Sequence, residues 1–143
     1  MTIVFVCTGN TCRSPMAEGL MRAELAKRGV SAAVTSAGLA AMGEPAADHA
    51  VTVMEECGLN LTRHRSRPLT KELADAADRI VVMTENHRSL LLAAGVDGEK
   101  ITVPAGGVPD PFGGSVEVYR HTRDTLQDIV HTLADEWFPE VTS

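Results

Sequence analysis

The chain has 143 residues, of which 44% are hydrophobic and 3% aromatic, and its formal net charge is −6. This length suits one domain spanning residues 1–143, and the composition predicts a core of aliphatic side chains, alanine and methionine. An acidic chain without a basic face argues against nucleic-acid binding, and any site for an anion must be built from local donors rather than from overall charge.

The chain begins with a strand followed by a helix. Residues 3–6 form a continuous apolar run, as expected for a strand that is buried on both faces. Ser14 is predicted to be the N-cap of the next helix, with Pro15 as its first residue, and the helix extends to about Arg28. Gly29 then ends it, because glycine readily adopts the left-handed conformation that closes a helix.

The alternation of strand and helix continues to the end of the chain. The remaining predicted elements are, in order, a strand at 33–36, a helix at 46–57 ended by Gly58, a short helix to 76 capped by Thr70, a strand at 79–83, a helix at 85–94 ended by Gly95, a strand at 100–103, and a long helix to 137 capped by Ser115. This order predicts a doubly wound α/β fold, in which a four-stranded parallel sheet has helices on both faces. Because ligands bind beyond the carboxyl ends of such strands, the loop after the first strand is the expected site.

That loop contains a cysteine, five intervening residues, an arginine and a serine. Five residues suffice to wrap main-chain N–H groups around a tetrahedral anion, and Gly9 is expected to allow a main-chain conformation that other residues resist. The following helix directs its positive end at the same point, and Arg13 adds a planar pair of donors that matches two phosphate oxygens. The predicted phosphate-binding loop follows Cys7 and consists of Thr8, Gly9, Asn10, Thr11, Cys12, Arg13 and Ser14.

Cys7 is predicted to be a nucleophile. A lone cysteine at the end of a strand is most often a small buried hydrophobic residue, but here an arginine, a serine, a glycine and the strand–turn–helix context coincide. Helix N-termini and nearby cations stabilise the thiolate, which is the attacking species, and the Ser14 hydroxyl is placed to donate a hydrogen bond to that sulfur. A Walker A loop is excluded, because the Gly-Lys-Ser/Thr ending is missing.

The segment from Cys7 to Pro15 resembles the phosphate loop of the low-molecular-weight protein tyrosine phosphatase family. The resemblance covers essentially the whole chain, with Ser36-Ala37-Gly38 after the second strand and an Asp-Pro pair before the last helix. It implies a flavodoxin-like fold and a two-step mechanism, in which Cys7 attacks phosphorus to form a phosphocysteine and Asp110 protonates the leaving group and then activates water. It also implies that Asn10 and Ser36 brace the loop.

The role of Asp110 can also be inferred from its position in the sequence, without the family resemblance. An aspartate between two prolines in a glycine-rich loop is usually a turn residue. This loop, however, follows a strand and lies on the catalytic edge of the sheet, and the chemistry needs a protonatable group. His49, His64 and His87 are competing candidates, and we expect each of them to be structural or on the surface.

Three features favour phosphoarginine over phosphotyrosine as the substrate. Thr11 is small and polar where tyrosine phosphatases of this family usually carry a bulky aliphatic residue, which would leave the N–H groups of a guanidinium unpaired. Gly113 follows Phe112 where those enzymes typically place a further aromatic residue. The segments 82–84 and 110–124 resemble bacterial protein-arginine phosphatases. The predicted specificity residues are Thr11, Asp110 and Phe112.

Other functions remain open at this stage. The alternative within the family is a low-molecular-weight protein tyrosine phosphatase. An arsenate reductase would need two further cysteines around the third strand and the following helix, but residues 79–94 contain none, and Cys57 is expected to be a core residue. A non-catalytic phosphate-binding module would be signalled by loss of Cys7, Arg13 or Asp110, and all three are present.

Cys12 suggests redox sensitivity, because a thiol beside a reactive thiolate can capture its sulfenic acid as a disulfide. Many members of the family share this pair of cysteines. An odd number of cysteines and the absence of an export signal predict a cytoplasmic protein with reduced thiols. We expect phosphorylated proteins as partners, neither nucleic acid nor membrane as a partner, a monomer, and no cofactor or metal, since Arg13 and the loop supply the charge.

Overall fold

The computed structural model describes residues 1–139. Along the chain, the elements are β1 (Thr2–Cys7), α1 (Arg13–Arg28), β2 (Ala33–Gly38), α2 (Asp48–Glu55), α3 (Lys71–Ala76), β3 (Arg79–Val82), α4 (Glu85–Ala93), a 3₁₀ turn (Gly98–Lys100), β4 (Ile101–Thr102) and α5 (Val116–Trp137). Among the helices of this described range, none has the length and apolar character needed to span a membrane.

The four strands form one parallel sheet in the order β2-β1-β3-β4. β1 is therefore paired on both sides, with Cys7 opposite Gly38 of β2. The chain moves to one side of β1 to form β2 and to the other side to form β3, so the carboxyl end of β1 is the topological switch point at which ligands bind in such sheets. The prediction of a four-stranded parallel sheet is confirmed, and Cys7 lies at its switch point.

Helices cover both faces of the sheet, as predicted. On one face, Phe5 of β1 packs in a cluster with Met16 of α1 and Leu126 of α5. On the other face, Val4 and Val6 of β1 pack with side chains that include Leu91 of α4. The alternating side chains of β1 thus enter two separate cores, which explains why its sequence is apolar without interruption.

The start of α1 differs from the prediction. The helix begins at Arg13 with Cys12 at the N-cap position, and no side chain caps it. Ser14 lies inside the first turn, where its hydroxyl contacts Cys7 and Asn10 instead of a main-chain N–H group. Pro15 is tolerated there because the first N–H groups of a helix have no partner within the helix. The predicted Ser14 cap is therefore wrong, and this hydroxyl is part of the candidate site.

α2 and β4 are each two residues or more shorter than predicted. Residues 46 and 47 precede α2 because the main-chain N–H of Ala47 donates to the carbonyl of Thr11 at 2.9 Å, which holds this segment against the phosphate loop. β4 has two residues, since Lys100 closes the preceding 3₁₀ turn. Cys57, expected in the core, is exposed just beyond the end of α2.

Candidate active site

The loop from Cys7 to Arg13 contains one residue with a left-handed main-chain conformation. This residue is Asn10, with φ of 56°, and not Gly9 as the sequence suggested. Asparagine tolerates this conformation better than most residues with a side chain. A Cβ atom on Gly9 would meet only the Thr11 hydroxyl, at an ordinary distance of 3.6 Å. Asn10 therefore makes the turn that the prediction assigned to Gly9.

The sulfur of Cys7 is buried at the carboxyl end of β1 and has two polar neighbours. The Ser14 hydroxyl oxygen lies 2.9 Å from Sγ, and the main-chain N–H of Asn10 donates to Sγ at 3.3 Å. Both neighbours belong to the loop and first turn of α1, whose N-terminal end carries a partial positive charge. Hydrogen-bond donors and this dipole favour a negatively charged sulfur.

A hydrogen-bonded chain behind the loop fixes the side chain of Asn10. Its amide nitrogen donates to the hydroxyl oxygens of Ser14, at 2.8 Å, and Ser36, at 3.0 Å. Its amide oxygen accepts from the main-chain N–H of Arg67 at 3.0 Å, and Ser36 donates to the Glu18 carboxylate at 2.5 Å. Asn10 and Ser36, which the family resemblance singled out, thus lie in one network that ends at the Cys7 sulfur.

Arg13 is 4% exposed and is held from two directions. One terminal nitrogen donates to the carbonyl of Val108 at 2.9 Å, and the other lies 3.6 Å from the Asp110 carboxylate. Its Nε is buried and has no hydrogen-bond partner among the described residues. A buried guanidinium donor without a partner is costly, so this atom marks a position where an anion would be stabilised.

Asp110 lies on the loop between β4 and α5, and half of its side chain is exposed. One carboxylate oxygen accepts the main-chain N–H of Phe112 at 3.0 Å, which shapes the turn, and the other faces Arg13. The loop is anchored where Val108 donates to the carbonyl of Met83 at 2.7 Å. The Phe112 side chain is 74% exposed. The structure thus brings Asp110 to the rim of the loop that contains Cys7 and Arg13.

The three histidines considered as alternatives to Asp110 all make structural contacts, and two of them touch the phosphate loop. His64 Nε2 lies 2.7 Å from the carbonyl oxygen of Asn10, and His87 Nε2 lies 2.9 Å from the Thr8 hydroxyl. His49 packs edge-on against the ring of Tyr119. The sequence analysis missed the loop contacts of His64 and His87. For His87 a signal existed, since it follows β3 in the first turn of α4 and so lies on the same sheet edge as Cys7.

Comparison with known proteins identifies this arrangement. The family model described as low molecular weight phosphotyrosine protein phosphatase matches residues 2–141. The chain belongs to this family. It is therefore a phosphatase, a hydrolase, and the family resemblance drawn from the segment around Cys7 is confirmed.

Relatives of this phosphatase with two different named activities cover almost its whole length. A protein-arginine-phosphatase of Bacillus subtilis is 40% identical over 95% of this chain and 96% of the relative. The low molecular weight protein-tyrosine-phosphatase PtpB of Staphylococcus haemolyticus is 34% identical over 93% of this chain and 97% of the relative. A solved structure of the YwlE arginine phosphatase, in which serine replaces the active-site cysteine and is phosphorylated, is 37% identical, covers 99% of both chains and gives a TM-score of 0.90.

The second cysteine of the phosphatase loop, Cys12, is buried against α5. Its sulfur lies 3.3 Å from the Tyr119 hydroxyl and 3.7 Å from that of Thr11. Burial raises the pKa of the Cys12 thiol, and the charges of Asp110 and Cys7 add to this, although the two hydroxyl contacts lower it. Burial also raises the pKa of Tyr119. Cys12 is thus a neutral thiol in the same loop as Cys7.

Proposed function

We propose that this phosphatase hydrolyses phosphoarginine in proteins through a phosphocysteine intermediate. The observation that carries the proposal is Thr11, a small polar residue in the phosphate loop. Its hydroxyl makes a weak 3.7 Å contact with Cys12 and is otherwise available to a substrate N–H group. The identity to a named protein-arginine-phosphatase over 95% of the chain supports the same substrate.

The proposed reaction has two steps. The Cys7 thiolate attacks phosphorus, an S–P bond forms, and the P–N bond to the guanidinium breaks as Asp110 gives its proton to the leaving nitrogen. Asp110 then takes a proton from water, whose oxygen attacks phosphorus and releases Cys7 as thiolate and the product as inorganic phosphate. Arg13 and the loop N–H groups stabilise the charge on the phosphoryl oxygens in both steps, so neither step requires a metal.

A tyrosine phosphatase is the second candidate, and one feature favours it. Phe112 presents an exposed aromatic side chain two residues after Asp110, and an exposed ring can stack on a phenol. The identity to a named tyrosine phosphatase is 34%. The catalytic assignments of Cys7, Arg13 and Asp110 are the same for both substrates. The preference for phosphoarginine or phosphotyrosine therefore depends on the side chains that surround the site.

The decisive experiment compares kcat/KM for matched peptides that carry phosphoarginine or phosphotyrosine, with the wild type and the Thr11→Ile variant. We expect the wild type to prefer phosphoarginine and Thr11→Ile to reduce or reverse that preference, because isoleucine removes water from the guanidinium N–H groups without pairing them. The Thr132→Ile variant, altered at an exposed position in the C-terminal half of α5, is the control. A wild-type preference for phosphotyrosine would overturn the proposed substrate and leave the catalytic residues unchanged.

We also infer that Cys12 protects Cys7 during oxidation. The Cys7 thiolate attacks a peroxide, the O–O bond breaks, and Cys7 becomes a sulfenic acid. The Cys12 sulfur then attacks the Cys7 sulfur, forming a disulfide and releasing water.

The need for reduced thiols favours action in the cytoplasm. We propose that the enzyme acts there as a monomer, which size-exclusion chromatography with light scattering tests directly.

A further inference from the structure

The first residue of the phosphate loop is connected to α4 by one hydrogen bond. The Thr8 hydroxyl lies 2.9 Å from Nε2 of His87. Thr8 is exposed at the open side of the loop, whereas His87 is 4% exposed. The two residues are 79 positions apart in the sequence. Cys7, Arg13 and Asp110 take no part in this hydrogen bond.

The imidazole of His87 is uncharged near neutral pH. Burial and then the charge of Arg13 lower the pKa of His87, and the opposing effect of Asp110 is smaller. Its Nδ1 is also buried and has no hydrogen-bond partner in the described part of the chain. Because an orphaned buried N–H group is rarer than an orphaned acceptor, the single proton belongs on Nε2. His87 therefore donates to Thr8, and the Thr8 hydroxyl retains its own hydrogen for another acceptor.

The main chain of Thr8 is held from the opposite side. Its carbonyl accepts the N–H of Ala40 at 2.8 Å, and the carbonyl of Cys7 accepts that of Leu39 at 3.0 Å. The segment after β2 thus fixes the main chain at the start of the loop, while α4 fixes the side chain of Thr8. A β-branched side chain whose hydroxyl is bound has one favoured rotamer, so His87 limits the motion of the residue next to the nucleophile.

We propose that His87 is a positioning residue for catalysis, which acts through Thr8 to hold the start of the phosphate loop in the conformation that binds the transition state. Loop N–H groups stabilise the developing charge only if they are already oriented before the reaction. The proposal does not depend on whether phosphoarginine or phosphotyrosine is the substrate, because both place the same phosphoryl group in the loop.

The test is a double-mutant cycle on the two residues, measured with p-nitrophenyl phosphate and with a phosphoarginine peptide. We expect Thr8→Val and His87→Phe each to lower kcat/KM about three- to tenfold, mainly through kcat, as fits the loss of one hydrogen bond. The double variant should lose no more than either single variant, since both remove the same contact. His121→Gln, at an exposed position on α5, is the control.

Two conservative variants of His87 separate positioning from packing. In His87→Gln the amide nitrogen reaches about as far as Nε2, whereas in His87→Asn the amide lies near the position of Nδ1. We expect the activity of His87→Gln to lie within about threefold of the wild type, and the activity of His87→Asn to be as low as that of His87→Phe. Additive losses in the double variant, or equal activities of the Gln and Asn variants at equal melting temperatures, would overturn the proposal. Thr8→Val keeps the test valid even if His87→Phe is unstable, because Thr8 is exposed.

Discussion

The hydroxyl oxygen of Ser14 lies 2.9 Å from the sulfur of Cys7 and at the same time accepts a hydrogen bond from the Asn10 amide. Since the amide hydrogen points at the oxygen, the hydroxyl hydrogen is left to donate, and the sulfur is its nearest acceptor; the carbonyl of Ala37 lies farther away, at 3.4 Å. Asn10 thereby orients the Ser14 hydroxyl towards the Cys7 sulfur.

We predict that Ser14→Ala lowers kcat by roughly ten- to hundredfold, as expected when a hydrogen bond to a charged group is lost. The same variant should react more slowly with iodoacetamide at pH 7, because the hydroxyl that stabilises a negative charge on the sulfur is removed. Steady-state kinetics and alkylation followed by mass spectrometry measure the two effects. Ser89→Ala, exposed on α4, is the matched control, and an unchanged alkylation rate in Ser14→Ala would contradict the assigned role.

Asn10 should stabilise the fold in two separable ways. In Asn10→Ala we expect a loss of about 1–2 kcal/mol for placing alanine in a left-handed conformation and a further ~1–3 kcal/mol for leaving buried polar partners unsatisfied. Asn10→Gly should suffer only the second loss, because glycine adopts a φ of 56° freely. Urea unfolding of both variants measures the difference. If Asn10→Ala and Asn10→Gly destabilise the fold equally, the left-handed conformation does not contribute to the loss.

The loss of activity in Asp110→Asn should depend on whether the leaving group of the substrate needs a proton. A general acid typically contributes 10²–10⁴-fold, so we expect a loss of roughly that size with a phosphoarginine or phosphotyrosine peptide. With 2,4-dinitrophenyl phosphate, whose leaving group needs no proton, the loss should be much smaller. The melting temperature should hardly change, since the ion pair with Arg13 is long, at 3.6 Å, and Asp110 is half exposed. Equal losses with all substrates would argue that Asp110 is not the acid.

The lowered pKa of His87 predicts a specific pH dependence of stability. The unfolded chain binds a proton near the ordinary histidine value of 6.5, whereas the folded chain does so only at lower pH. Between these values the unfolded state carries more protons, so the free energy of unfolding must fall as the pH is lowered from about 7 towards 5. When the free energy of unfolding is measured with urea across this pH range, it should fall less in His87→Gln than in His121→Gln. Parallel curves for the two variants would be inconsistent with a neutral buried His87.

Peroxide treatment should distinguish Cys12 from Cys57. The wild type is expected to lose activity, to lose two hydrogens in mass through a Cys7–Cys12 disulfide, and to recover fully with reductant. Cys12→Ser should be inactivated without recovery, because the sulfenic acid is oxidised further. Cys57→Ser should behave as the wild type, since Cys57 is exposed beyond α2. Full recovery of Cys12→Ser would show that Cys12 gives no protection.

Several features could be predicted because they depend on neighbouring residues. Continuous apolar runs identified β1 and β3, and the caps Thr70 and Ser115 and the terminator Gly29 follow local rules of hydrogen bonding and φ. The prediction for Ser14 failed because two residues of the preceding loop compete for its hydroxyl group. Ser14 was read as a cap, but its hydroxyl is bound by Cys7 and Asn10.

By itself the sequence determined the family, the order of strands and helices, and the spacing of Cys7 and Arg13, because these features depend on residues that lie near one another in the chain. Only the tertiary structure decided that Asp110 faces Arg13, that Asn10 rather than Gly9 makes the left-handed turn, and that His87 bonds Thr8. Contacts of the Thr8–His87 kind join residues far apart in the chain. Such contacts depend on how helices pack against the sheet; the order of elements places His87 at the same sheet edge as Cys7, but local sequence patterns do not specify which side chains then meet.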